Sequence, residues 1–97
     1  AGKWAIGVDS DQYLTAGSYD QKAHILTSML KRVDVAVFET MKAACDGDTS
    51  GGFKVFDLSN DGVGYATSGG YVDDIAGQLD ELKAEIVSGA ITVPTAP

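Results

Sequence analysis

The chain has 97 residues, of which 44 % are hydrophobic and 22 % are charged, a composition typical of one folded domain and unlike that of a disordered or fibrous protein. Its 14 acidic residues against 7 lysines and arginines give a formal net charge of -7, which disfavours nucleic acid and anionic lipid as partners. Its single cysteine cannot form an internal disulfide, and no apolar run approaches the ~20 residues that span a bilayer.

The N-terminal part of the chain is predicted to contain two strands. Residues 4–8 are a short apolar run, and a polar cluster follows at residues 9–12, which is the pattern of a buried strand that ends in a loop. Residues 13–22 lack periodicity and are predicted as loop. Residues 24–30 are predicted as a second strand, with a helix that starts near Thr27 as the alternative. No apolar core of signal-peptide length opens the chain, which predicts a cytoplasmic protein or a mature or truncated product.

A helix and a hairpin are predicted next. From Val33, apolar residues recur at spacings of three and four, which predicts an amphipathic helix that ends before Gly47. Residues 53–58 alternate between apolar and polar, the period of a half-buried strand. Because an Asn-Asp-Gly turn at residues 60–62 separates them from the apolar residues 63–66, the two segments are predicted to pair as a hairpin.

The last predicted element is a second long helix. Its apolar stripe begins at Val72 and is closed by Gly89, and residues 91–94 form an extended exit that ends in a proline. The order strand, strand, helix, hairpin, helix predicts an α/β chain with its helices on one or both faces of a sheet. Cys45, at the end of the first helix, is predicted to be a buried or partly buried thiol.

Two acidic loops imitate the start of a calcium-binding loop, and neither is predicted to bind metal. In the first, Asp57, Ser59 and Asp61 alternate before a glycine, but the twelfth position is Ser68 and a predicted strand precedes the loop. The second, at residues 46–51, lacks the closing glutamate. The sequence therefore predicts no metal site.

Motifs of nucleophilic catalysis and of nucleotide binding do not occur in the sequence. His24 is the only histidine, no Gly-x-Ser-x-Gly elbow is present, and the glycine spacings lack the Lys-Ser/Thr pair that binds phosphates. His24 is therefore predicted to be a packed or surface residue rather than a catalytic base. Neither an enzymatic role nor a cofactor is predicted.

Two charged residues follow the two predicted strands. Asp9 comes directly after the first strand, and Lys31 takes the matching place after the second. In open α/β sheets, ligands bind in the crevice outside the carboxyl ends of the strands. A carboxylate there can accept hydrogen bonds from vicinal sugar hydroxyls, and an ammonium can complement it or donate to a ligand oxygen. The alternative is that Asp9 caps a turn and Lys31 is solvated, and spacing alone leaves both interpretations open.

Four blocks of the sequence resemble the C-terminal part of the basic membrane protein family, the bacterial substrate-binding lipoproteins of ABC transporters that include the purine nucleoside receptors. The blocks occur in the family's order and cover essentially the whole chain. They read WAIGVDSDQ, LTSMLKRVD, GVGYA and IVSGAITVP, at residues 4–12, 26–34, 62–66 and 86–94. The sequence departs from the family at Asn60 and Asp61, which replace a glycine-rich approach to the third block; this is a change at the level of the turn.

The resemblance implies a fold and a set of ligand-binding residues. The fold is the type I periplasmic-binding-protein fold, in which two Rossmann-like α/β lobes close on a nucleoside. By resemblance, Asp9 and Lys31 bind the ribose, and Gly7 and Val8 lie beside the ligand. The polar residues 11–12 support the loop and are not expected to contact the ligand.

The resemblance also implies a function for a longer protein. Residues 1–97 are expected to be the C-terminal segment of a two-lobed protein, without its N-terminal lobe, signal and lipobox, and to bind nucleoside weakly or not at all alone. The protein is expected to bind a nucleoside, most simply a purine nucleoside, for an ABC permease. Its location is expected to be the outer face of the cell membrane, held by a lipid anchor, or the periplasm. The alternatives are a ligand sensor of the same fold that reports to a signalling partner and, as the weakest, an enzyme of sugar or nucleoside metabolism.

Overall fold

The computed structural model describes residues 2–96, which alternate between strands and helices. The elements are, in chain order, β1 (Ala5–Asp9), α1 (Gln12–Thr15), α2 (Tyr19–Lys22), β2 (Ile25–Lys31), α3 (Val33–Cys45), β3 (Val63–Tyr65) and α4 (Ala76–Ser88). A turn of 3-10 helix, Leu58–Asn60, precedes β3. The two predicted N-terminal strands and the two predicted long helices are present, so the predicted α/β class is confirmed.

The strands form one sheet in the order β1-β2-β3. β1 and β2 run parallel, with Gly7 opposite Ser28 and Asp9 opposite Leu30, whereas β3 runs antiparallel to β2. Parallel neighbours need a crossover connection, and here the chain returns through α1 and α2, of which α1 contacts β2. The carboxyl ends of β1 and β2 therefore lie at the same edge of the sheet.

The predicted hairpin at residues 53–66 is wrong. Residues 53–57 have no regular structure, and β3 pairs with β2 instead. The loop before β3 satisfies its backbone with its own side chains: Asn60 Oδ1 accepts from the Asp57 backbone N–H at 2.8 Å, and Asn60 Nδ2 donates to Val55 O at 3.0 Å. Because these local bonds compete with a strand ladder, the segment closes on the 3-10 turn.

The prediction that residues 13–22 form a loop is also wrong, because two short helices lie there. Asp11 caps α1 by accepting a hydrogen bond from the Tyr13 backbone N–H at 3.1 Å. Ser18 caps α2 by accepting from the Gln21 backbone N–H at 3.3 Å. A helix of one turn is too short to show apolar periodicity, so its capping residues are its main sequence signal.

The two long helices lie close to their predicted positions. α4 begins after a turn at residues 71–75 rather than at Val72, and it ends at Ser88. Gly89 caps it with a φ of 86°, a left-handed value that suits glycine. Cys45 is exposed in the last turn of α3, so the prediction of a buried or partly buried thiol is wrong. No helix within the described residues is long and apolar enough to cross a membrane.

Much apolar surface of the described residues is exposed. Val72 and Ala66 are buried, whereas Ile6 in β1 and Phe38 in α3 are each 63 % exposed. The Cα radius of gyration is 16.2 Å, above the ~12.5 Å expected of a compact domain of this length. The prediction that residues 4–8 form a buried strand is therefore right about the strand and wrong about its burial. β1 lies at the edge of the sheet, and its Ile6 face stays uncovered within the described part of the chain.

β1 and α1 approach each other closely at Gly7. A Cβ on Gly7 would lie 2.6 Å from Ser28 Oγ and 2.7 Å from Gln12 Cβ, which is too close for a methyl group. The Gln12 backbone N–H donates to Ser28 Oγ at 3.0 Å, and Ser28 is fully buried. Packing therefore requires glycine at this position, because only a residue without a side chain lets α1 lie against the two parallel strands.

Replacing Gly7 with alanine is expected to lower the free energy of unfolding by about 1–3 kcal/mol, because the added methyl group overpacks the contact with Gln12 and Ser28. Gly64→Ala is the matched control, since a Cβ at Gly64 in β3 would meet nothing within 4 Å. Urea unfolding of both variants measures the difference. Equal midpoints for the two variants would contradict the packing role of Gly7.

Candidate functional site

Asp9 and Lys31 lie side by side where β1 and β2 end. Lys31 Nζ and Asp9 Oδ1 are 2.9 Å apart, and the two side chains are 59 % and 67 % exposed, respectively. An ion pair this exposed contributes about 0–1 kcal/mol to stability, so folding gives little reason for it. The structure thus brings together the two residues that the sequence singled out, and their part in ligand binding remains a prediction.

Asp9 has a positive φ, which is uncommon in residues other than glycine. Its φ is 76°, and the Ser10 backbone N–H donates to Val8 O at 3.1 Å. A hydrogen bond from residue i+2 back to residue i around a positive φ is the uncommon, strained form of the γ-turn. The left-handed region costs a residue with a Cβ about 1–2 kcal/mol, and such strain clusters at functional sites. Because Asp61 also has a positive φ, of 58°, the conformation supports a role for Asp9 only together with its place at the carboxyl ends of β1 and β2.

Gly7 and Val8, which the resemblance places beside the ligand, build the strand that leads into this turn. The space beside the Gly7 Cα is filled by Gln12 and Ser28. Val8 contributes its carbonyl oxygen, which accepts a hydrogen bond from Gln12 Nε2 at 3.1 Å in addition to the bond of the turn itself. Both residues shape the backbone from which the Asp9 carboxylate projects.

Asp11 ties the loop to a distant part of the chain. Its Oδ1 accepts from the Tyr13 backbone N–H at 3.1 Å and from Ser68 Oγ at 2.7 Å. The carboxylate is thus engaged in capping α1 and in holding the segment that follows β3. Sequence patterns give no sign of Ser68 as a support of this loop, because it lies 57 residues from Asp11.

Ser28 is a second support that the sequence analysis does not assign to the site. Its side chain is fully buried and accepts the Gln12 backbone N–H, and its carbonyl oxygen accepts the Ala66 backbone N–H at 2.9 Å. It therefore joins α1, β2 and the chain that leaves β3. Its sequence signal is a polar residue inside an apolar strand, which indicates a special position without saying what the hydroxyl contacts.

The acidic loop that imitates a calcium site uses its carboxylates for other contacts. The hydroxyl and the backbone N–H of Ser59 both donate to Asp57 and lower the pKa of the Asp57 carboxyl. Asp61 Oδ1 accepts from Lys83 Nζ at 2.9 Å, which lowers the pKa of the Asp61 carboxyl. Across residues 2–96, no three histidine, cysteine, aspartate or glutamate side chains converge as a metal-ligand set.

The arrangement of Asp9 and Lys31 suits a polar, uncharged ligand. An ionised carboxylate only accepts hydrogen bonds and an ammonium only donates them, whereas a hydroxyl group does both. A ligand with neighbouring hydroxyl groups can therefore donate to Asp9 and accept from Lys31 at the same time. Both side chains are exposed, so a ligand can reach them from solvent.

Comparisons with known proteins show what the chain is similar to. The family model Bmp, described as PnrA-like ABC transporter substrate-binding protein, matches residues 1–96. The chain is 38 % identical over 100 residues to a CD4+ T-cell-stimulating antigen of Listeria monocytogenes, and 41 % identical over 61 residues to an uncharacterised lipoprotein of Pyrococcus abyssi. These alignments cover 97 % and 63 % of this chain, and 28 % and 14 % of the two relatives. The chain thus spans less than a third of the length of the Listeria relative.

A solved structure shares the fold. It is the crystal structure of a solute-binding protein of an ABC transporter system from Aeropyrum pernix K1, matched with a TM-score of 0.60 at 24 % identity. The match covers 96 % of this chain and 33 % of that one. At this identity the likeness concerns the fold alone, and it confirms the predicted fold class.

Asp9→Gly is expected to raise the free energy of unfolding by up to about 1 kcal/mol, because glycine adopts a left-handed φ without the Cβ penalty and an exposed ion pair contributes little. Asp9→Ala is the matched comparison, since it also removes the carboxylate and differs from Asp9→Gly by the Cβ alone. Chemical denaturation compares the two variants with the wild type. If Asp9→Ala proved as stable as Asp9→Gly, the left-handed strain at this position would be refuted.

Proposed function

The chain belongs to the Bmp family of PnrA-like ABC transporter substrate-binding proteins, and from that premise we propose that it forms part of the extracytoplasmic binding protein of a nucleoside importer. The observation that carries the proposal is the Asp9 and Lys31 pair, 2.9 Å apart at the carboxyl ends of two parallel strands. Such strand ends are where open α/β sheets bind ligands. A purine nucleoside is the proposed class of ligand, in line with the resemblance.

Ribose has the chemistry that this pair accommodates. Its 2′- and 3′-hydroxyl groups are neighbours, so they can donate to the two Asp9 carboxylate oxygens while their own oxygens accept from Lys31 Nζ. The pair carries no net charge, so a neutral nucleoside leaves no charge without a partner. A phosphate group would be repelled by Asp9 and by the formal net charge of -7, which favours a nucleoside over a nucleotide.

The described residues would form one wall of the binding cleft. We propose residues 1–97 as the C-terminal segment of a two-lobed protein, called the parent protein below. The exposed apolar side chains of β1 and α3, such as Ile6 and Phe38, support this interpretation, because further chain is needed to cover them. The remainder of the parent protein would supply the second lobe and the residues that hold the base, and closure of the lobes would bury the ligand.

A location outside the cytoplasmic membrane fits this function. One relative is named as a lipoprotein, which supports a parent protein that is lipid-anchored at the outer face of the membrane or lies in the periplasm. Its partner would be an ABC permease, as for the substrate-binding proteins of this family. The proposed role is binding without catalysis, because this is a family of binding proteins.

Asp9→Asn and Lys31→Met are each expected to weaken inosine binding by the parent protein by about 10- to 100-fold, since a hydrogen bond to a charged group is worth ~1.5–3 kcal/mol. Asparagine tolerates the left-handed region, so Asp9→Asn removes the charge and keeps the turn. Isothermal titration calorimetry gives the Kd. 2′,3′-Dideoxyinosine, which lacks both hydroxyl groups, is expected to bind the wild type and Asp9→Asn equally.

Asp61→Asn and Lys83→Met are the matched controls. They remove another exposed Asp–Lys pair with the same 2.9 Å separation, and Asp61 is also left-handed, with a φ of 58°. Their inosine affinity is expected to equal that of the wild type. If the wild-type parent protein binds inosine and its Asp9→Asn variant binds inosine with the same Kd, the proposed contact between Asp9 and the ribose is wrong. Inosine binding together with unchanged nucleoside uptake after deletion of the gene would indicate a ligand sensor instead of an importer.

A further inference from the structure

The strained turn at Asp9 requires stabilising contacts from the surrounding structure, called the hold below. Its φ of 76° is unfavourable, and strained backbone persists only where neighbouring groups over-determine it. The ion pair with Lys31 cannot supply the hold, because both side chains are largely exposed and an exposed pair contributes little. Asp9 is also the last residue of β1 and lies opposite Leu30. On the other side of the strand, the backbone of the turn can be held through its acceptor, the Val8 carbonyl oxygen.

Gln12 contacts this acceptor. Its Nε2 donates to Val8 O at 3.1 Å, the same oxygen that accepts the Ser10 backbone N–H in the turn. The Val8 carbonyl belongs to the peptide unit that includes the Asp9 nitrogen, and the φ of Asp9 is the rotation between that unit and the Asp9 Cα. A hydrogen bond to the Val8 carbonyl oxygen therefore restrains the orientation of this peptide plane. The direction in which the Asp9 side chain leaves the backbone toward Lys31 depends on that orientation.

Gln12 is itself held at several points. Its backbone N–H donates to the buried Ser28 Oγ at 3.0 Å, and its Oε1 accepts from Thr15 Oγ1 at 3.4 Å. Its Cβ and Cγ fill the space beside Gly7. A side chain whose stem packs beside Gly7 and whose backbone N–H is bonded to Ser28 has less rotamer freedom to lose, which favours its contact with Val8.

We propose that Gln12 is a positioning residue of the ligand site. It acts through the Val8 carbonyl and holds Asp9 in the left-handed turn without touching the ligand. This inference rests on the proposed function, because it takes Asp9 to be a ligand contact. Without the Gln12 bond, Asp9 relaxes to a negative φ and its carboxylate leaves Lys31. Binding then has to restore the turn, which lowers the apparent affinity.

Gln12→Glu tests the donor, because it removes Nε2–H and keeps the length of the side chain. The inosine Kd of the parent protein is expected to rise about three- to tenfold, as for the loss of one hydrogen bond. Gln12→Asn is the second variant: it keeps a neutral amide that is one methylene too short to reach Val8. Gln21→Glu is the control, since it makes the same charge change in α2, and it is expected to bind inosine like the wild type.

Crystal structures of the ligand-free parent variants supply a readout that general destabilisation would not move, namely the φ of Asp9. The expected result is a raised Kd and a negative φ in both Gln12 variants. An unchanged Kd in both, or a raised Kd with Asp9 still left-handed, overturns the inference. If the wild-type parent protein binds no inosine, the proposed nucleoside function fails. The role of Gln12 is then decided by the φ of Asp9 in the variants. A negative φ supports the role and a positive φ overturns it.

Discussion

The contact among Gly7, Gln12 and Ser28 is the constraint on which the carboxyl edge of β1 and β2 depends. The parallel register places Gly7 opposite Ser28, and the missing side chain of Gly7 admits Gln12 to the Ser28 hydroxyl. The helix that starts at Gln12 is thereby pinned to the sheet, with one of its unpaired N-terminal N–H groups satisfied. Only Ser10 and Asp11 remain to connect β1 to this helix. So short a connection requires a tight turn, in which Asp9 has a φ of 76°.

Within the described residues, the buried polar atoms are hydrogen-bonded, whereas many apolar side chains are exposed. No buried side-chain nitrogen or oxygen atom of the described residues lacks a hydrogen-bond partner, and the supports of the Asp9 loop are local and mutually consistent. The apolar side chains of β1 and α3 are still largely exposed. The geometry of the charged pair is therefore set by contacts inside this chain, while burial of its apolar faces and of any ligand calls for further surface.

Local patterns were sufficient to predict some of these features and insufficient for others. The adjacency of Asp9 and Lys31 follows from two strands that end in charged residues, because the carboxyl ends of parallel neighbours share one edge. The left-handed turn does not follow, since aspartate carries no marker of positive φ comparable to glycine. The hairpin prediction failed because alternation at residues 53–58 imitates a strand, while the Asn60 side chain takes the backbone groups a ladder would use. The Ser68 contact with Asp11 is non-local, so no window of the sequence contains it.

The charge balance of the site bears on how a two-lobed protein could close over it. An isolated carboxylate covered by a second lobe would lose its hydration without compensation, which is costly. Asp9 already has Lys31 at 2.9 Å, so closure would cover a neutral pair rather than a single charge. Hydroxyl groups of a ligand would match the covered pair, because they can donate to Asp9 and accept from Lys31. Exclusion of water would strengthen the attraction between Asp9 and Lys31, and hydrogen bonds from a ligand would have to offset the cost of desolvating both charges.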